Sequence, residues 1–181
     1  MRQALILHPD SHCAAATGVE VEAARPRPGA LLLRYVVTGR IGDLRMPSAA
    51  APKRAVGLWQ HSCFEAFVRA ATGAAYYEFN LAPSTQWAAF RFDGYRSGLR
   101  VAGAIDTPQI DVRPGEGRFA LQASLALDRL PDLPADAVWR VGLAAVLEDA
   151  DGRRTYWALA HPPGRPDFHH SDCFAVELPP A

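Results

Sequence analysis

Three stretches of this chain gather the residue types that can do chemistry. The first is Leu58-Trp59-Gln60-His61-Ser62-Cys63-Phe64-Glu65-Ala66-Phe67-Val68. The second is Tyr76-Tyr77-Glu78-Phe79-Asn80-Leu81-Ala82-Pro83, leading on to Trp87 and Arg91. The third runs from Tyr156-Trp157 through His161, Asp167, His169 and His170 to Asp172. Side chains alternate along a strand, so parity sorts each stretch into two faces. Phe64, Ala66 and Val68 oppose Cys63, Glu65 and Phe67. Tyr77, Phe79 and Leu81 oppose Tyr76, Glu78 and Asn80. Ala88, Phe90 and Phe92 oppose Trp87, Ala89 and Arg91. Taking each apolar set as the core side leaves Glu65, Tyr76, Glu78, Asn80, Trp87 and Arg91 on one outer face.

Carboxylates, an amide and a guanidinium beside aromatic rings suit a sugar. A pyranose stacks its C–H faces on Trp or Tyr and needs donors and acceptors for its hydroxyls. The plainer reading is a salt-bridged sheet face, with Glu65 or Glu78 paired to Arg91 across strands. Two acids on adjacent strands also meet the spacing of a glycosidase pair, as any two such acids would. His161, Asp167, His169, His170 and Asp172 are candidate metal ligands, although their spacing matches no zinc motif and adjacent His169 and His170 diverge. Alternatively, they fix their loop through backbone hydrogen bonds. Haem would need an axial His, Met or Cys, for which a loop His and Met46 are available. A nucleophilic pair of Cys63 or Cys173 with His61 or His169 lacks a helix N-terminus to depress the thiol pKa. Gly-rich phosphate cradles are absent.

The elements that must position these residues read as strands. A first strand is expected at Ala4–Leu7, then Thr17–Ala23, Ala30–Thr38, Ser62–Ala70, Ala75–Leu81 and Gln86–Phe92. Pro108–Arg113, Arg118–Leu127, Val138–Leu147, Thr155–Ala160 and Cys173–Leu178 follow. Turn residues separate them, as at Ala71-Thr72-Gly73-Ala74 and Asp149-Ala150-Asp151-Gly152. No helical periodicity competes, and the Ala-rich pieces are too short or too close to Pro47 and Pro52. The expected architecture is all-β: an antiparallel β-sandwich, jelly-roll or immunoglobulin-like, of about ten strands with little helix. Met46–Arg54 and His161–Asp172 read as loops within one domain spanning residues 1–181.

Composition sets the remaining bounds. The 181 residues are 49% hydrophobic and 21% charged, too apolar for a disordered chain. No apolar run approaches the ~20 residues of a membrane span. Nineteen basic residues balance nineteen acidic ones. That neutrality argues against nucleic acid as a partner, because displacing counterions needs a basic surface. Eighteen of the basic residues are Arg, which we read as the coding bias of a GC-rich, bacterial genome. Ala4–Leu7 is too short for a secretory h-region. Three cysteines without a CxxC fit free thiols in the cytoplasm.

The same three stretches carry a resemblance. Leu58–Val68 with its W-x3-C-F-E string, Tyr76–Arg96 with E-F-N-x-x-P, and Tyr156–Leu178 with P-D-F-H together make up about a third of the chain. In content and order they resemble the DOMON-like, carbohydrate-binding-module family 9-like group of bacterial proteins. The resemblance implies a DOMON-type β-sandwich that binds a sugar or haem and has no catalysis of its own. It also implies two Trp rings sandwiching a terminal sugar, with structural calcium available to some members. The candidate rings here are Trp59, Trp87 and Trp157. The expectation is therefore a non-catalytic domain binding a small saccharide at Trp59, Glu65, Tyr76, Glu78, Asn80, Trp87, Arg91 and Trp157. His161, Asp167 and His169 would close one end. No cofactor is required; calcium, zinc or haem on the His161–His170 loop, or an enzyme built on Glu65, Glu78 and that loop, is the alternative.

Overall fold

The computed structural model describes residues 1–181. Twelve strands form, all pairing antiparallel: β1 Arg2–Leu7, β2 Ala16–Ala24, β3 Ala30–Gly39, β4 Cys63–Ala70, β5 Tyr76–Leu81 and β6 Trp87–Phe92. They continue as β7 Arg100–Val101, β8 Gln109–Gly115, β9 Arg118–Ala126, β10 Trp139–Glu148, β11 Arg154–Ala158 and β12 Val176–Leu178. The helical content is three 3₁₀ turns of three residues each, at Ile41–Asp43, Leu58–Gln60 and Ser171–Cys173. The expected strands are found, with two differences. The two-residue β7 carries too short a pattern to be legible, and Cys173 closes a 3₁₀ turn instead of opening the last strand.

The strands follow the order β7-β6-β5-β4-β10-β11-β1-β2-β3-β9-β8, with β12 on the β11 edge of β10. β1 is the hinge of this sheet. Its residues Arg2–Leu5 pair with β2, and Ile6 and Leu7 pair with β11. The two halves on either side of β1 face each other across one continuous core. Tyr35 of β3 donates its hydroxyl hydrogen to the Glu65 carbonyl of β4 at 2.7 Å, and Phe64 stacks on Phe119 at 6.0 Å. The β1–β2–β3–β9–β8 half alternates as half-buried strands should: Val19, Val21 and Ala23 point inward, Glu20 and Glu22 outward.

The other half is different. β4 and β5 are buried on both faces, as is nearly all of β10. The segment after β11 folds back over their outer side. Its Phe168 and Phe174 pack on Phe67, Tyr76, Phe92, Ala144 and Val146 to make a second, smaller core. Gly142 permits this return. A Cβ there would sit 3.0 Å from the Cys173 carbonyl oxygen, tighter than ordinary contact. Polar residues on the outer face of β4 and β5 are thereby placed under cover.

Candidate functional site

The outer face of β4, β5 and β6 is ordered in rows by register. Glu65 lies opposite Asn80, and Asn80 opposite Ala88. Phe67 lies opposite Glu78, and Glu78 opposite Phe90; the next row pairs Tyr76 with Phe92. Phe90 and Phe92 thus share the face of Glu65 and Glu78. Trp87 and Arg91 face the opposite way, with Tyr77 and Phe79.

An open cavity of about 680 Å³ sits over these rows. Glu65, Glu78 and Val146 contribute to its floor, and Phe90 and Phe92 come from β6. Trp59, Val56 and Leu99 form walls that stay largely exposed, whereas Tyr156, Phe168 and Pro166 are more covered. His169, Arg96 and Arg165 supply the remaining polar lining. Trp59 owes its position to local structure. Gly57 takes the left-handed conformation (φ 76°) that glycine adopts without strain, and the Leu58–Gln60 turn follows. His61 then anchors the chain, its Nδ1 2.7 Å from Glu148 Oε2, where Arg45 also pairs at 3.2 Å.

The loops above the floor are tied together by a polar network. The Arg96 backbone N–H donates to Tyr76 Oη at 3.2 Å. Tyr76 Oη also lies 2.8 Å from Nδ1 of His169, within hydrogen-bond distance. The other ring nitrogen, Nε2, lies 3.7 Å from Glu78 Oε2. Asp167 holds the rim: it accepts from the Arg96 guanidinium at 2.7 Å, from the His169 backbone N–H at 3.1 Å, and from Tyr95 Oη. Arg96 itself sits at φ 50°, a conformation that side chains other than glycine seldom adopt.

Burial sets the protonation of this site. Removal from water, and then the neighbouring Glu78, push the Glu65 carboxyl well above the usual carboxylate range. Burial raises Glu78 as well, partly opposed by the hydrogen bond from Asn80 Nδ2 at 2.6 Å. Burial, with Arg96 adding to it, lowers His169 to about 4. The floor therefore offers acids that hold protons readily, beside a neutral imidazole.

The structure brings Trp59, Glu65, Glu78 and His169 to one cavity. Tyr76 and Asn80 lie on the same face, buried beside it and bonded to His169 and Glu78. Asp167 holds the rim. His161 stands apart: its Nε2 meets the Ile6 carbonyl at 2.8 Å and its ring packs edge-on to His8. Three expectations are corrected. Trp87 is a core residue with the Arg54 guanidinium 4.0 Å over its ring. Arg91 reaches neither Glu65 nor Glu78; it pairs with Asp132 at 2.6 and 2.9 Å and with Asp93. Trp157 points into the main core, its Nε1 donating to Thr155 Oγ1 at 3.2 Å. The physical cause at β6 is that both faces are covered, so its more apolar side did not mark the main core. At β11, the ring on the outer face is Tyr156, one residue before Trp157.

Phe90, Phe92, Tyr156 and Phe168 are cavity residues that sequence reasoning missed. The continuous apolar run Val141–Leu147 in β10 is the signal that could have found them, because it calls for a second layer over the outer face. No three His, Cys, Asp or Glu side chains converge as a metal site. His169, the loop histidine nearest the floor, has Tyr76 on one ring nitrogen and Glu78 facing the other, an arrangement that does not fit an axial haem ligand.

No protein-family model and no curated protein matches this chain. Solved structures do. A candidate carbohydrate-binding protein from Bacteroides uniformis superposes with a TM-score of 0.73 at 15% identity, over 100% of this chain and 86% of that one. A family 9 carbohydrate-binding module from Caldicellulosiruptor kristjanssonii, in complex with glucose, gives 0.54 at 11% identity over 95% and 80%. A family 9 module from the same organism, in complex with cellotriose, gives 0.50 at 12% over 86% and 70%. The chain shares their fold.

Proposed function

We propose that this β-sandwich is a carbohydrate-binding domain without catalysis of its own, and that the cavity over β4, β5 and β6 is its binding site. One observation carries the reading. Trp59, Val56 and Leu99 are exposed by 49%, 91% and 62%, and all three wall a cavity whose floor holds buried Glu65 and Glu78. Exposed apolar walls around a polar floor match the two surfaces of a sugar ring. The shared fold supports the same reading, since the family 9 modules hold glucose and cellotriose. Trp59 and Tyr156 are the rings best placed for stacking, with Glu78 and Arg165 as hydroxyl partners. In the same reading the domain is cytoplasmic, where Cys13, Cys63 and Cys173 would stay as thiols.

The test is isothermal titration calorimetry with a saccharide panel that includes glucose and cellotriose, on the wild type and on Trp59→Ala. Saturable binding that weakens about tenfold or more in Trp59→Ala supports the proposal. Absence of binding across the panel, or binding indifferent to Trp59, refutes it. Incubation with the same saccharides and with nitrophenyl glycosides should return them intact. Turnover would move the reading to a glycosidase built on Glu65 and Glu78.

A further inference from the structure

Glu65 has only 4% of its surface exposed, yet its carboxyl forms no ion pair and no hydrogen bond within the protein. It opens on the cavity instead. Glu78, 7% exposed, lies diagonally across the β4–β5 ladder on the same face. It accepts from Asn80; His169 Nε2 stands 3.7 Å away, and the Arg96 guanidinium acts on it from farther off without bonding to it. That imidazole is neutral near pH 7, because burial lowers it to about 4. Neither guanidinium group of the cavity forms an ion pair with these carboxyls. Arg96 is engaged by Asp167 at 2.7 Å, and Arg165 stands on the exposed loop. Two buried acids thus share a floor with no cation bonded to either. A buried carboxylate is costly unless paired. Phe90, Phe92, Tyr156, Phe168 and Trp59 line the same space with aromatic rings. Ring faces attract cations, most strongly where water is excluded.

The geometry points to a ligand that carries an ammonium group, seated between the Glu65 and Glu78 carboxyls and walled by aromatic rings. Resting on the carbohydrate reading, this makes the ligand an amino sugar in preference to a neutral one. Without ligand, burial and the neighbouring Glu78 favour the protonated form of the Glu65 carboxyl. An arriving ammonium pairs with the carboxylate form, so binding releases that proton to solvent and leaves the charge of the floor balanced.

Isothermal titration calorimetry at pH 6.5, in two buffers of different ionisation enthalpy, tests this with matched pairs: D-glucosamine against D-glucose, and benzylamine against benzyl alcohol. Each amine should bind about tenfold or more tightly than its alcohol counterpart, with net release of protons. Glu65→Gln and Glu78→Gln should each shrink the amine-to-alcohol ratio toward one. Preference for benzylamine with neither sugar binding would support the ammonium seat while overturning its assignment to an amino sugar. Equal binding within each pair, with glucose bound, would overturn the ammonium seat and leave the carbohydrate reading standing. Failure of all four probes to bind would overturn the ammonium seat, and the carbohydrate reading falls with it only if the wider saccharide panel fails too. A ratio unchanged in both Gln variants would overturn the assignment to these carboxyls, and the wild-type comparison decides the matter even if the variants do not fold.

Discussion

Tyr76 and His169, 93 residues apart in sequence, are joined by a hydrogen bond of 2.8 Å between the phenol oxygen and Nδ1. The bond fastens the loop after β11 to the sheet beneath it and sets which imidazole nitrogen faces Glu78. Tyr76 also stacks on Phe92 at 4.7 Å. Tyr76→Phe keeps the stacking and removes the bond, leaving Nδ1 unpaired. The expected cost is ~1 kcal/mol in denaturant unfolding, with weaker ligand binding because the cavity wall loosens. An unchanged midpoint would show that the loop is held by packing alone.

Arg91 and Trp157 provide a contrast. Neither faces the cavity. Arg91→Ala should lower stability by breaking its pairing with Asp132, and saccharide affinity should stay within about twofold. Trp157→Phe should likewise spare binding. A tenfold loss of affinity in either variant would mean the site extends to the other face.

Which faces were legible from sequence follows from how each strand is covered. In β2, polar and apolar residues alternate, and Val19 and Val21 point inward as read. In β4 and β5, the residues Phe64, Phe79, Glu65 and Glu78 also fall on the faces that parity assigned. At β6 the same reasoning failed. Phe90 and Phe92 are as apolar as Trp87 and Ala89, because the returning segment with Phe168 and Phe174 buries the second face. Hydrophobicity marks coverage, not direction, wherever both sides are covered. The long return of residues 159–175 over the sheet has no local signal beyond its prolines and aromatics; the apolar run of β10 calls for a second layer without saying which segment supplies it.

Phe64, Phe79 and Phe90 turn that distinction into measurements. Phe64→Ala and Phe79→Ala empty positions in the main core and should each cost ~3–5 kcal/mol. Phe90 is only partly buried and lines the open cavity, so Phe90→Ala should cost less than ~2 kcal/mol and fall mainly on ligand affinity. Equal destabilisation by all three would place Phe90 in the main core.

The pH dependence has a definite sign. Glu65 and Glu78 bind their protons more tightly folded than unfolded, so they stabilise the fold at lower pH. That contribution is lost as pH rises through their folded values. His169 acts oppositely. Its folded value, about 4, lies below the ordinary 6.5, so its contribution is complete above that value and is lost as pH falls toward 4. His161 is lowered in the same direction. Above pH 6.5, where the His169 contribution is complete, the carboxyls set the trend at this site, where Tyr76, Arg96, Asp167 and Cys63 are the other titratable groups nearby. Thermal melts should show stability falling as pH rises toward the raised carboxyl values, and Glu65→Gln should flatten the slope. A rising slope would contradict the assignment.

Cys63 and Cys173 are buried, and burial raises the thiol of each, to about 11 for Cys173. Cys13 is partly exposed. A thiol reagent should label Cys13 alone in the native protein and three thiols after unfolding. Fewer than three would reveal a disulfide.

Acrylamide quenching tests the binding site most directly. Trp87, Trp139 and Trp157 are exposed by 5% or less, against 49% for Trp59. The quenchable emission therefore belongs to Trp59 and should disappear in Trp59→Phe. Saturation with the best-binding saccharide or amino sugar should protect that emission, because the ligand stacks on the ring. Saturable binding that leaves the quenching of Trp59 unchanged would contradict the account and place the ligand elsewhere.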